Sequence, residues 1–376
     1  MNTKFFSKLS TTLLLAATLS ACGGGSKPPP SVEPPAEVDL EQAFEQIREG
    51  HNVPALAGAF VRDGEVTQSG VVGVRSLPDG LTATIEDQWH LGSLTKSMTA
   101  TLAARLVEQG ILQWTTTIDE VLPQLAANIN PAYKDVTIRE LLSSTGGIIS
   151  DISRLPGWSN YFGRNDDIQA VRREMVEEIL HFSPENERGK FNYSNAGFVV
   201  AATMLEALTL EDWETLIQNE VFLPLSIEDA GFGAPGDGVN QPTGHKWQNN
   251  QWQAVDPSDP GGDNPKAMGP AGIVHMSLAS LAKYTQAHLQ GESGESDLLS
   301  AESFITLHQV QPGTNYALGW FNDGESISHD GSNTFWYAKI GLDIQRGIAA
   351  IAVTNAGNDD ANVALDDAIK AMLSRN

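Results

Sequence analysis

Apolar positions at the start of the folded stretch repeat with the α-helical period. In VDLEQAFEQIREG (38–50), Leu40, Phe44 and Ile47 share one face and Gly50 supplies a stop. The period then changes: ALAGAFVRDGEVTQSGVVGV (55–74) holds two β-rich runs on either side of Asp63-Gly64, a dipeptide suited to a two-residue hairpin turn. Towards the other end, TNYALGWF (314–321), TFWYAKIGLDI (334–344) and GIAAIAVTN (347–355) read as three further strands, the last two joined by a short turn at Gln345 to Gly347. A closing helix, ANVALDDAIKAMLSR (361–375), follows. Strands at both ends and a helical, loop-rich middle predict an α+β fold, an α/β sandwich. One antiparallel β-sheet is built from the N- and C-terminal segments and flanked by helices, with a mainly helical subdomain inserted at roughly 111–270.

Residues 1–37 carry no such pattern. Lys4 and Lys8 precede the short apolar run LLLAATL (13–19), and small residues follow, the layout of a secretory signal over 1–21. The run is shorter than the ~20 residues a membrane-spanning helix needs. Cys22 is the only cysteine, so no internal disulfide is available. LSAC (19–22) resembles the bacterial lipobox, which implies a lipid on Cys22 and an exported lipoprotein. Gly23 stands where an Asp would retain it at the inner membrane, so the outer membrane is expected, facing the periplasm or the cell surface. Residues 22–37, rich in Gly, Ser and Pro, form a tether, and the folded domain spans 38–376.

With 23 basic and 47 acidic side chains the formal charge is −24, and removal of Lys4 and Lys8 takes it to 21 − 47 = −26. No basic cluster is present to follow a phosphate backbone, which excludes nucleic acid as a partner. The expected partners are a small-molecule or peptide substrate and, through Cys22, a membrane.

HLGSLTKSMTATLAARLVEQG (90–110) is a helix apolar nearly all round, with Leu94, Met98, Leu102 and Leu106 on one face. Such a helix is buried, and only its first turn, holding Ser93 and Lys96, reaches a cleft. A serine hydroxyl needs a base within hydrogen-bond reach, and a residue three positions along a helix supplies one if burial lowers its pKa. The S-x-x-K pattern occurs again at Ser280 and Lys283, inside an amphipathic helical pattern where solvated polar residues are the simpler reading. Two further segments bear on the choice. Tyr193 and Asn195 stand in a turn before a second buried helix, in RGKFNYSNAGF (188–198), and His329-Asp330-Gly331 precedes an apolar strand.

Ser93-x-x-Lys96, Tyr193-x-Asn195 and His329-x-Gly331, in this order, resemble the serine hydrolase family of class C β-lactamases, D-alanyl-D-alanine carboxypeptidases and related esterases. The resemblance runs from about residue 40 to 375 and extends to VTIRELLSSTGGI, GPAGIVHMSLASLAKY and YALGWF. It implies a covalent acyl-enzyme on Ser93, with Lys96 and Tyr193 moving protons and Tyr193 acting as a phenolate. Asn195 would bond the substrate amide or hold Lys96, and the backbone N–H groups of Ser93 and Ser332 would form the oxyanion hole beside Gly331. Neither metal nor other cofactor is implied. The substrate is an ester or amide: a short-chain ester, a D-amino-acid peptide or a β-lactam.

Two departures favour esters over β-lactams: His329 replaces the lysine common in the third motif, and Ser144 stands where many relatives carry histidine. Rival chemistries lack their motifs, since no G-x-S-x-G or H-E-x-x-H is present and GNDDAN (357–362) reads as an acidic turn capping the last helix. The rival from another class is a non-catalytic, peptidoglycan- or partner-binding lipoprotein that keeps the fold.

Overall fold

The computed structural model of the chain describes residues 39–374 apart from 79 and 127; the expected signal, Cys22 and the tether lie outside the described residues. In chain order the strands are β1 (Ala55–Arg62), β2 (Glu65–Gly73), β3 (Gln88–His90), β4 (Gly231–Phe232), β5 (His245–Gln248), β6 (Gln251–Ala254), β7 (Val274–Ser277), β8 (Phe321–Asn322), β9 (Ile327–Ser332), β10 (Tyr337–Asp343) and β11 (Ile348–Thr354). The main sheet is antiparallel with the order β2-β1-β11-β10-β9-β8, so the N-terminal hairpin pairs directly with the C-terminal strand. Both turn residues of that hairpin, Asp63 and Gly64, have positive φ, as the tight right-twisted connection requires.

Alternation along the strands divides the core. Leu56, Phe60, Ala350 and Ala352 pack against Phe44, Leu365, Ile369 and Met372 of the first and last helices, Leu40–Gly50 and Asp359–Leu373. Ala57, Ala59, Ile351 and Val353 face the other way, into a larger core shared with the buried helix Thr95–Glu108 and with Leu278–Gly291. Asn358 caps the last helix by accepting from the Ala361 amide, which accounts for the acidic GNDDAN turn.

Between β3 and β7 the chain is mainly helical, and beyond Thr95–Glu108 its long helices are Ile168–His181 and Asn195–Thr209. Arg172, fully buried, ties them together through ion pairs with Glu206 and with Glu214 at 2.7 Å.

One predicted strand is largely absent. Of residues 314–321 only Phe321 enters a strand. The Leu318 and Gly319 amides bond to the Leu307 and Leu142 carbonyls instead of to a ladder, and Gly319 has φ +74. A Cβ at Gly319 would sit 2.7 Å from the Lys96 carbonyl oxygen, so the segment is a close-packed turn against the buried helix. Conversely, His329 to Ser332 lie within a strand, β9, rather than in a turn before one.

Candidate active site

The loop leaving β3 winds through a single 3₁₀ turn, Gly92–Leu94, into the helix Thr95–Glu108. That geometry brings the Lys96 Nζ to 2.9 Å from Ser93 Oγ, and Nζ also donates to the Ala271 carbonyl at 2.7 Å. Lys96 has no exposed surface, and burial drives its pKa well below the usual lysine range. A neutral amine retains two N–H donors and one lone pair. With one N–H on Ala271, the lone pair is free to take the Ser93 proton.

Tyr193 is hydrogen-bonded to Ser93, and Lys96 Nζ lies 4.9 Å from the centre of its ring. Burial raises the phenol's pKa, the hydrogen bond with Ser93 opposes this, and the negative charge of Asp330 adds to it. Burial thus favours the neutral phenol over the expected phenolate in the resting site. Ser144, at φ +56 and buried, holds the turn from both sides of Tyr193. Its carbonyl accepts from the Asn192 amide at 2.9 Å and its hydroxyl from the Ser194 amide at 3.3 Å. Ser194, not Asn195, caps the following helix. Asn195 is half-buried at the helix start, and Lys96 is held by Ala271 rather than by it.

His329 is buried in β9, its ring beside those of Tyr193, Tyr316 and Phe321. Nδ1 lies 2.7 Å from the Asp330 carbonyl oxygen and so carries the proton, leaving Nε2 as a buried acceptor without a partner. Burial, assisted by the neighbouring Lys96, pushes the imidazole pKa down to about 3.

Gly92 and Gly331 let the nucleophile turn close on the end of β9. A Cβ at Gly92 would fall 2.4 Å from the Ser332 nitrogen, and one at Gly331 would fall 1.9 Å from the Leu91 carbonyl oxygen. The backbones of Ser93 and Ser332 are thereby brought together, as an oxyanion hole requires.

Ser93, Lys96, Tyr193, His329, Gly331 and Ser332 thus converge from segments far apart in sequence. The second S-x-x-K pair does not: Ser280 is buried near a helix start, with its amide bonded to Ser277, while Lys283 donates to the Ser226 carbonyl. Two participants were not singled out from sequence. The Ala271 carbonyl carries no side-chain signal. Tyr316, whose ring meets Tyr193 edge to face at 5.8 Å, lay in a segment assigned to a strand. Among the described residues no group of three or more His, Cys, Asp or Glu side chains is arranged to hold a metal ion.

Residues 40–372 match the Beta-lactamase family model, and the chain belongs to that family of serine hydrolases. It is 25% identical to penicillin-binding protein 4 of Amycolatopsis lactamdurans over 332 residues, 84% of either chain. Among solved structures its fold is similar to that of a D-stereospecific amidohydrolase from Streptomyces sp. (TM-score 0.67, 20% identity, covering 86% of this chain and 97% of that one). It is also similar to EstCE1, described as a hydrolase with promiscuous acyltransferase activity (TM-score 0.71, 17% identity, 88% and 98% covered).

Proposed function

We propose that this member of the Beta-lactamase family hydrolyses a small ester or amide through an acyl-enzyme on Ser93. The observation that carries the reading is the buried, proton-poor Lys96 with its Nζ 2.9 Å from Ser93 Oγ. In the mechanism proposed, Lys96 Nζ takes the hydroxyl proton as Oγ attacks the carbonyl carbon, and the carbonyl oxygen becomes an anion held by the Ser93 and Ser332 amides. The tetrahedral intermediate collapses, and Tyr193 passes a proton from Lys96 to the departing alkoxide or amine. Water then attacks the ester carbonyl and gives its proton back through the same pair, releasing the acid and regenerating Ser93.

The substrate proposed is a short-chain ester or a small amide-like molecule in preference to a penicillin or cephalosporin. A neutral His329 supplies no cation to grip a β-lactam carboxylate, whereas an ester needs none. The amidohydrolase and EstCE1 likenesses agree with this range of acyl substrates. A lipid on Cys22 would hold the domain at a membrane.

Labelling with a fluorophosphonate tests the assignment. Intact mass is expected to show one adduct, mapping to Ser93, abolished in Ser93→Ala and kept in Ser280→Ala. An adduct that persists in Ser93→Ala overturns it, and an unreactive parent protein favours a binding role for the fold.

A further inference from the structure

Residues 256–265, DPSDPGGDNP, form a loop between β6 and β7. In the fold the end of this loop lies against the back of the site, where three separate pieces of the catalytic apparatus meet. The first is the nucleophile turn. The Gly92 amide, one residue before Ser93, donates to His90 Nδ1 at 3.0 Å, so a neutral His90 carries its proton on Nε2, which faces Asp263 Oδ1 at 3.1 Å. The second is the end of β9: Asn333, next to Ser332, donates through Nδ2 to the same Asp263 oxygen at 2.8 Å. The third is the segment that holds Lys96. Asn264 Nδ2 donates to the Gly272 carbonyl at 2.8 Å, beside the Ala271 carbonyl that accepts from Lys96.

These pieces touch one another as well. A Cβ at Gly272 would make ordinary van der Waals contact with Asn264 Nδ2 at 3.4 Å and with the Gly92 carbonyl carbon at 3.5 Å, so the Lys96-anchoring segment neighbours both the clamp and the nucleophile turn. Asp263 itself is held ionised. Burial raises its pKa, but the neighbouring His90, together with hydrogen bonds from Asn333 and the Asn264 amide, outweighs that and leaves it below the ordinary range.

The geometry points to Asp263-Asn264 as a positioning clamp that, with His90, fixes the Ser93 turn, the Ser332 amide and the Lys96 anchor relative to one another. None of the three need touch substrate. Asp263 lies against the Nε2 side of His90, His90 accepts the Gly92 amide and so orients the turn that presents Ser93, and Asn333 ties the same carboxylate to the opposite side of the oxyanion hole. Small displacements matter here, because a shift of about 1 Å between reacting groups costs on the order of a hundredfold in rate. The inference rests on the reading of Ser93 as the acylated nucleophile.

The test separates positioning from folding. The fraction of molecules that take a fluorophosphonate on Ser93, the kcat per labelled site, KM for p-nitrophenyl butyrate and Tm are measured for the parent, Asp263→Ala, Asp263→Asn, His90→Asn and His90→Leu. Asp263→Ala is expected to lower kcat per labelled site by roughly ten- to a hundredfold, with KM changed less than about twofold. Asp263→Asn retains an oxygen for the Asn333 donor and is expected to recover part of the loss. His90→Asn, whose amide oxygen stands in for Nδ1 towards the Gly92 amide, is expected to exceed His90→Leu.

If Asp263→Ala does not fold, the Asp263→Asn and His90 variants decide the matter. Unchanged kcat per labelled site, with the loss confined to labelled fraction or Tm, overturns the clamp and leaves a structural loop. A parent protein that takes no label at Ser93 refutes the hydrolase reading, and the clamp's catalytic role with it.

Discussion

Replacing Lys96 with methionine removes the titratable amine while keeping most of the side chain's shape. Burial places the folded-state pKa of Lys96 well below its ordinary 10.5, whereas the unfolded chain has no such burial. The sign follows from proton counting. Below pH 10.5 the unfolded lysine is protonated and the folded one is not, until the pH reaches the depressed folded value. The parent therefore loses stability as pH falls through that window, and the methionine variant does not. The slope is about 1.4 kcal/mol per pH unit, so between pH 9 and pH 7 the difference should move in favour of Lys96→Met by up to about 2.7 kcal/mol.

A pH-independent offset opposes the gain, since the buried Ala271 carbonyl loses its donor at a cost of about 1–3 kcal/mol. Comparing the two proteins across pH cancels that offset, along with the titration of every other group common to both. Urea unfolding at pH 7, 8 and 9 measures the difference directly. Hydrolysis should meanwhile fall by roughly 10²–10⁴-fold, the usual contribution of a positioned base. A stability difference that stays flat with pH means that Lys96 is charged in the folded protein, and its role as base fails.

Three other outcomes are expected. The ratio of kcat/KM for p-nitrophenyl butyrate to that for nitrocefin should favour the ester and change little between pH 6 and pH 8, because His329, with its pKa near 3, is neutral at both; more efficient nitrocefin hydrolysis would reverse the assignment of substrate class. The missing charged contact alone should lower β-lactam kcat/KM about tenfold. Arg172→Ala should cost about 3–5 kcal/mol in urea unfolding, since it strands buried Glu206 without its cation; a loss below 1 kcal/mol would mean the pair is not dry. Expressed in a Gram-negative host, the parent should fractionate with membranes and Cys22→Ser with the soluble periplasm, and equal recovery of both in the soluble fraction would remove the anchor.

Much of the framework was legible because period and turn chemistry agree. The alternating runs on either side of Asp63-Gly64, and the nearly uniform apolar surface of the helix after Ser93, leave few alternatives for burial. Segments whose conformation is set by distant partners were harder to read. Tyr316 to Trp320 has the composition of a strand, but its Leu318 and Gly319 amides are taken by Leu307 and Leu142, and Gly319 turns it against the buried helix. At the site, Ser93 and Lys96 were visible through helical spacing, and Tyr193 and His329 only through the joint pattern of three motifs. The charge state of Tyr193 depends on burial and on Asp330, neither of which spacing encodes. His90, Asp263 and Asn264 went unread for the same reason, since Asp263 meets the His90 and Asn333 side chains only through the fold, and Asn264 reaches the Gly272 carbonyl from across a loop.

A covalent acyl group on Ser93 can be trapped from substrate itself. The protein is mixed with excess p-nitrophenyl butyrate, quenched in acid before steady state and analysed by peptide mass mapping. A burst of one p-nitrophenol per labelled site and one butyryl group on the Ser93 peptide, absent from Ser93→Ala, is expected. Turnover without any acyl adduct on Ser93, or an adduct at another residue, would contradict the Ser93 acyl-enzyme.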